Sequence, residues 1–289
     1  MIGQIVKAHS NRFEVLSGGE TFVCSLRGKM KLKSDFALVG DYVEFADGVI
    51  LKISERKNRF VRPAVANVDV VVIVAAAEPA PDFLLIDKML VNAGKEGVEA
   101  VFAVNKADIG RLPYEAIRRD YGSLGADILE VSAKTGSGME DLRKRLDGKL
   151  AVFAGQSAVG KTSLINRLCG LSLRVGDLSE KTCRGRHTTT YSSIYQAGNC
   201  RIADTPGFAV LEADLSADEI KDYYEDFIEY AADCRFRGCT HTAEPGCAVK
   251  KKVEEKIVSE GRYERYCRIF AEQQEKRHVK NRRVSCEGR

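Results

Sequence analysis

Apolar and polar residues alternate with a period of two through roughly the first sixty positions, then shift to apolar runs separated by stretches of helical period. The alternation predicts short strands over 3–8, 12–16, 21–26, 41–45 and 49–54. Turn residues divide them at Ser10-Asn11, Ser17-Gly18-Gly19 and Asp47-Gly48. From about Val68, apolar runs at 69–74, 99–104, 128–131, 151–154 and 200–203 predict strands buried on both faces. A mostly parallel sheet covered by helices follows, with 191–196 as its antiparallel edge partner. Beyond about Asp214 the chain becomes helical and highly charged, interrupted by a cluster of Cys and His.

At 289 residues with 44% hydrophobic composition, the chain can build two or three domains. The expected boundaries are 1–62 for a β-barrel, 63–214 for the α/β domain and 215–289 for a helical metal-binding domain with a basic tail. Five short strands suit an OB-fold barrel, with Arg27, Lys29, Lys31 and Lys33 in a loop placed for nucleic acid. No apolar run approaches a membrane span and the N-terminus opens on strand-like sequence, so a cytoplasmic protein without a membrane partner is expected, as a monomer. The net charge of +4 is unevenly spread. Residues 250–289 hold 13 Lys/Arg against 7 Glu and residues 1–62 hold 11 against 7 acids, leaving an acidic centre. Two basic ends suit a polyanionic partner such as RNA, and equally suit two solvated faces.

Gly155-Gln156-Ser157-Ala158-Val159-Gly160-Lys161-Thr162, followed by Ser163, fits the phosphate-loop pattern GxxxxGK[ST]. A strand precedes it and a helix over 162–168 follows. In this motif the backbone amides cradle phosphates, the Lys ammonium reaches the β and γ oxygens, and the Thr hydroxyl binds Mg²⁺. Asp204-Thr205-Pro206-Gly207 closes a later strand, where Asp204 can hold Mg²⁺ through water and the Gly207 amide can meet a γ-phosphate. The base is read elsewhere. Asn105-Lys106-Ala107-Asp108 ends one strand, and the Asp108 carboxylate can accept from both N1–H and N2–H of guanine, a pair of donors adenine lacks. The Lys106 stem would cover the ring and Asn105 would brace the pocket. Ser132-Ala133-Lys134 ends another strand, where a backbone amide can meet guanine O6. The implied ligands are GTP and GDP.

These motifs stand in permuted order, since the base readers precede the phosphate loop. A sheet assembles equally well from a permuted chain when the original termini lie close together. With Gly185-Arg186-His187-Thr188-Thr189-Thr190 between the two phosphate-sensing motifs, Val39-Gly40-Asp41 in the barrel and a Cys/His cluster after the nucleotide motifs, the whole chain resembles the bacterial ribosome small-subunit-dependent GTPase A family (RsgA, also called YjeQ). The one departure is Ala158, where the family often has Gly. The resemblance implies a circularly permuted GTPase that binds the small ribosomal subunit and its rRNA and turns over faster on it, during late subunit maturation. Phe208 stands where many GTPases place a water-orienting Gln, and the resemblance points to His187 as its substitute, beside Lys161 as the other catalytic group. Thr189 or a neighbouring Thr would complete the Mg²⁺ shell.

Nine cysteines, an odd number, argue for thiols and metal ligands rather than disulfides. Cys234, Cys239, His241 and Cys247 supply three thiolates and one imidazole, a set that fills a tetrahedral Zn²⁺ and makes the ion structural. Cys24, Cys169, Cys183, Cys200, Cys267 and Cys286 are expected to be packing residues or surface thiols. Tyr263, Tyr266 and Phe270, at helical spacing, are expected to dock their helix on the domain. The Lys/Arg residues of 276–283 form an arm suited to RNA.

Overall fold

The computed structural model describes residues 1–26, 36–171, 192–204 and 215–287, with side chains through 275. The barrel is built from β1 (Ile2–His9), β2 (Arg12–Ser17), β3 (Glu20–Leu26), β4 (Tyr42–Ala46) and β5 (Val49–Ile53). Its order is β1-β2-β3-β5-β4, closed by β4 on β1, with β3 parallel to β5 and the other pairs antiparallel. Alternation fills the interior with Ile5, Phe13, Val15, Val43, Phe45 and Ile50. The Val39-Gly40-Asp41 corner is a structural joint. Gly40 has φ +93, and a Cβ there would lie 2.0 Å from the Ala66 carbonyl oxygen, so only glycine fits. Asp41 is fully buried and gripped by the Arg56 fork at 2.7 and 2.9 Å. A short hairpin, β6 (Arg59–Phe60) and β7 (Val65–Ala66), follows, and neither of its strands was expected from the sequence.

Next come β8 (Val70–Ala76), α1 (Phe83–Lys95), β9 (Glu99–Asn105), α2 (Leu112–Tyr121), β10 (Asp127–Glu130), α3 (Met139–Arg145), β11 (Leu150–Ala154) and α4 (Lys161–Cys169), then β12 (Ser192–Ala197) and β13 (Cys200–Asp204). Their sheet runs β10-β9-β8-β11-β13-β12, parallel except for the antiparallel edge strand β12. β8 and β11 are apolar and buried along their whole length, because helices cover both faces. Two cores sandwich the sheet, one including Ile73, Met89, Phe102 and Tyr121, the other Val72, Phe153, Leu164 and Ile202. From β8 the chain steps outward through β9 and β10, then returns to β11 on the opposite side. That reversal puts a crevice between β8 and β11 at the strands' carboxyl ends. β12 also pairs with β1, so the barrel continues the sheet, and Arg201 donates to the Gln4 side chain at 2.6 Å across the joint.

The C-terminal part holds a 3₁₀ turn at Ala217–Tyr223, α5 (Glu225–Ala231), α6 (Ala248–Glu254) and the long α7 (Glu260–Glu287). Tyr224, Phe227 and Tyr266 are fully buried in its core, with Tyr224 and Tyr266 edge to face at 5.1 Å. Tyr266 and Phe270 pack inward, and the half-buried Tyr263 anchors its hydroxyl on the His241 carbonyl. No described helix is long and apolar enough to cross a membrane.

Candidate nucleotide pocket and metal cluster

Because β8, β9, β10, β11 and β13 are parallel, the loops that follow them converge on one edge of the sheet. Asn105 ends β9 and ties the loops together. Its side-chain amide donates to the Val159 carbonyl at 2.9 Å, and its oxygen accepts from the Ala133 amide at 3.1 Å. One buried side chain thus joins the phosphate-loop motif to Ser132-Ala133-Lys134. Ser132 donates its hydroxyl to Asp108 at 2.6 Å and accepts from the Thr135 amide at 3.1 Å. That hydroxyl, more than any neighbouring charge, holds the Asp108 carboxyl below its ordinary range, keeping it an anion and an acceptor. Lys134 stands 3.9 Å from its other oxygen. Lys106 adopts φ +61 at the turn.

The phosphate loop leaves β11 through Gly155, at φ +146, where a Cβ would lie 2.3 Å from the Val74 carbonyl oxygen. Gly160, at φ +95, caps α4, and a Cβ there would lie 2.3 Å from the Asn105 amide nitrogen. Glycine is required twice, once for backbone conformation and once for the approach of Asn105. Ala158 takes φ +65, so the departure from glycine places a Cβ on a left-handed residue at a cost of roughly 1 kcal/mol. The Lys161 ammonium folds back onto the Gly155 and Gln156 carbonyls at 2.7 and 2.5 Å. Burial draws its pKa down to about 8, so above that pH the free amine is largely neutral and a bound anion would recharge it. Thr162 is buried in the first turn of α4, and Asp204 ends β13 on the same edge of the sheet. His187, Thr189, Gly207 and Phe208 lie outside the described residues, as do Arg27, Lys29, Lys31, Lys33, Cys183 and the side chain of Cys286.

In the C-terminal part, the ligand atoms of Cys234, Cys239, His241 and Cys247 all lie within 4.8 Å of one another. The Cys234 and Cys247 sulfurs are 3.9 Å apart, and His241 Nδ1 stands 3.6 and 3.4 Å from them. A tetrahedral Zn²⁺ with bonds of roughly 2.3 Å to sulfur and 2.0 Å to nitrogen sets its ligands roughly 3.8 and 3.5 Å apart, so the cluster fits that ion. The Ala248 and Lys250 amides point at the Cys234 and Cys247 sulfurs at 3.4 and 3.5 Å, and Tyr266 holds the Thr240 carbonyl beside His241. Burial pushes the Cys239 thiol up to about 12 and holds His241 below its usual value; a bound dication reverses the first and suits the second, since it takes thiolates and neutral imidazole. Cys24 and Cys200 are buried and Cys169 and Cys267 half-buried, none of them in the ligand set, with Cys267 packed against the core that holds Cys239 and Cys247.

Sequence reasoning missed two features beside the pocket. Residues 77–82 touch both of its halves, and a buried ion network joins α1 and α2 to α7. The first is backbone-mediated and leaves no residue signature. The second shows in the sequence only as ordinary Asp and Arg residues on charged helices.

A parallel sheet whose edge gathers a phosphate loop and guanine-type motifs, with the phosphate loop third along the chain, defines the class: a circularly permuted GTPase, a GTP hydrolase. The RsgA GTPase model matches residues 53–214 and the RsgA N-terminal domain model residues 2–49. A relative from Geobacillus sp. (strain WCH70), named small ribosomal subunit biogenesis GTPase RsgA, is 40% identical over 287 residues, covering 95% of this chain and 98% of the relative. One of the same name from Thermotoga neapolitana is 41% identical over 286 residues, covering 93% and 96%. The crystal structure of YjeQ from Thermotoga maritima superposes with TM-score 0.79 at 36% identity, covering 94% of this chain and 98% of that one. YloQ, titled a circularly permuted GTPase, superposes with TM-score 0.76 at 31% identity, covering 95% of each. The chain belongs to the RsgA GTPase family.

Proposed function

We infer that this GTPase acts in assembly of the small ribosomal subunit, binding the subunit and its rRNA and hydrolysing GTP to GDP and phosphate faster when bound. The relatives' shared name supports the partner, and the basic ends of the chain suit an RNA surface. The observation that carries the chemistry is the Asn105 bridge, which fixes the base-reading loops against the phosphate loop. In this reading Asp108 takes the guanine N1–H and N2–H, the Lys106 stem covers the ring, and the Ala133 and Lys134 segment meets O6. Amides from Gly155 through Ser163 hold the phosphates, and Lys161 neutralises charge that grows on the β–γ bridge as the bond breaks. Thr162, Asp204 and Thr189 would hold Mg²⁺, which when bound would offset the charge of the phosphates. His187 orients the attacking water in place of the Gln that Phe208 displaces. In this reading the partner completes the catalytic set, so turnover without it is slow. The Cys234, Cys239, His241 and Cys247 set holds one structural Zn²⁺. The domains divide near 62 and 214, the protein works as a cytoplasmic monomer, and the Lys/Arg of 276–283 lie along rRNA.

Phosphate release from GTP, measured with and without purified small subunits, tests this reading. The expected result is stimulation of at least about tenfold by small subunits and none by large subunits. No acceleration at any subunit concentration removes the partner.

A further inference from the structure

Residues 77–82, between β8 and α1, carry none of the nucleotide motifs, yet both halves of the pocket are tied to them. On the base-reading side the Lys106 ammonium donates to the Glu78 carbonyl at 2.5 Å. On the phosphate side the Asp82 amide donates to the Gln156 side-chain oxygen at 2.9 Å. Asp82 is also the N-cap of α1, its carboxylate accepting from the Leu85 amide at 3.0 Å, so this short segment and the start of the helix are one piece.

Helix α1 is gripped on two faces. Ile86, Met89 and Ala93 belong to the core under the sheet. Val91, with Leu84 beside it, belongs instead to the C-terminal core of Tyr224, Tyr266 and Ile269. Ion pairs lie along that second face. Asp87, buried, binds Arg262 at 2.8 Å and also Arg265, while Lys88 meets Glu272 at 2.5 Å and Lys95 meets Glu219. Positions 84, 87, 88, 91 and 95 form one continuous helical stripe. Arg262 and Arg265 are themselves fixed, Arg262 by Asp226 at 2.8 Å and Arg265 by Asp120 at 3.2 Å. A helix of 13 residues, about 20 Å long, packed on both sides into close-packed interiors, shifts as a rod rather than bending.

We propose that α1 and residues 77–82 are a positioning device through which the docking of the C-terminal helices sets the lifetime of bound guanine nucleotide. Glu78 and Asp82 act on the nucleotide only through Lys106 and Gln156, and Asp87 and Lys95 act only through the helix. A partner that moves α7 thereby loosens or tightens both halves of the pocket together, a route separate from the covalent one through residues 205–214. This rests on reading the pocket as a guanine-nucleotide site.

The test is the release rate of a fluorescent GDP analogue from the full metal-loaded chain. Arg265→Gln is expected to speed release about threefold to tenfold, and Lys95→Gln to act in the same direction. In a Gln156→Ala background the same substitutions should accelerate release by a smaller factor, because the phosphate-side contact is gone and only the Lys106–Glu78 contact still carries the effect. Lys251→Gln, which breaks only an exposed pair with Glu255 away from α1, should leave release unchanged. Thermal melting identifies a variant that has lost its fold; if Arg265→Gln does, Lys95→Gln decides the matter. Unchanged release in both variants, or equal acceleration with and without Gln156, overturns the proposal. If the unsubstituted chain binds no analogue, the nucleotide reading itself fails and the proposal falls with it.

Discussion

Single side chains set the chemistry of this pocket by bonding to other loops. Asn105 spends both ends of its amide on two different loops, and Ser132 spends its hydroxyl on keeping Asp108 an acceptor. Lys161 is the most strongly perturbed of the pocket cations, held near 8 by burial against an ordinary 10.5. Phosphates beside it favour the charged form and raise that value, so the nucleotide complex holds more protons than the free protein in the window above pH 8. Binding of GDP is therefore expected to take up a proton at pH 9 and almost none at pH 7, with affinity falling as pH rises past about 8. Calorimetric titrations in two buffers of different ionisation heat measure this directly. Proton release on binding at pH 9, or affinity that rises there, contradicts the assignment of Lys161 to the phosphates.

At the scale of elements, the C-terminal segment has a compact aromatic core stitched around the Cys/His cluster, and its helices rest on α1. Metal binding supplies folding free energy to such a segment. Cys247→Ser should lower its stability by several kcal/mol, on the order of 3 or more, seen as loss of helical circular dichroism and of one equivalent of bound zinc. Full helicity with no bound metal contradicts the structural role. The strands of the barrel and of the sheet were legible in sequence within a residue or two, because period-two alternation and wholly apolar runs report burial on one face or two. The Cys/His set was legible because metal ligation needs fixed residue types at short spacing, and for the same kind of reason the motifs that Asn105 ties together stand out in the sequence. What lay hidden was long-range. The antiparallel joint between β1 and β12 is made by backbone groups that any sequence carries. The stripe 84, 87, 88, 91 and 95 mixes apolar and charged residues, so it reads as a solvated helix face until the opposing Arg262 and Arg265 are in place. The hairpin of β6 and β7 has strands of two residues, too short for any periodicity.

For the whole molecule, permutation changes what is connected to what without changing the sheet. The base-reading loops follow β9 and β10 and the phosphate loop follows β11, yet parallel pairing returns all three to one edge. The strand ending in Asp204 then leads through residues 205–214 into the C-terminal domain, while β12 fuses the sheet to the barrel. A nucleotide pocket is thereby wired to both flanking domains, which suits a protein that senses a large partner with both ends. That account depends on the pocket reading guanine through a carboxylate. A site built on paired hydrogen-bond donors of its ligand rejects a ligand lacking them by large factors. The direct measurement is the affinity of the chain for GTP and for ATP, with and without Asp108→Ala. The account predicts a preference for GTP on the order of 10³-fold or more in the unsubstituted chain, collapsing to within roughly tenfold in the variant. Equal affinity for the two nucleotides, or a preference that survives Asp108→Ala, contradicts it.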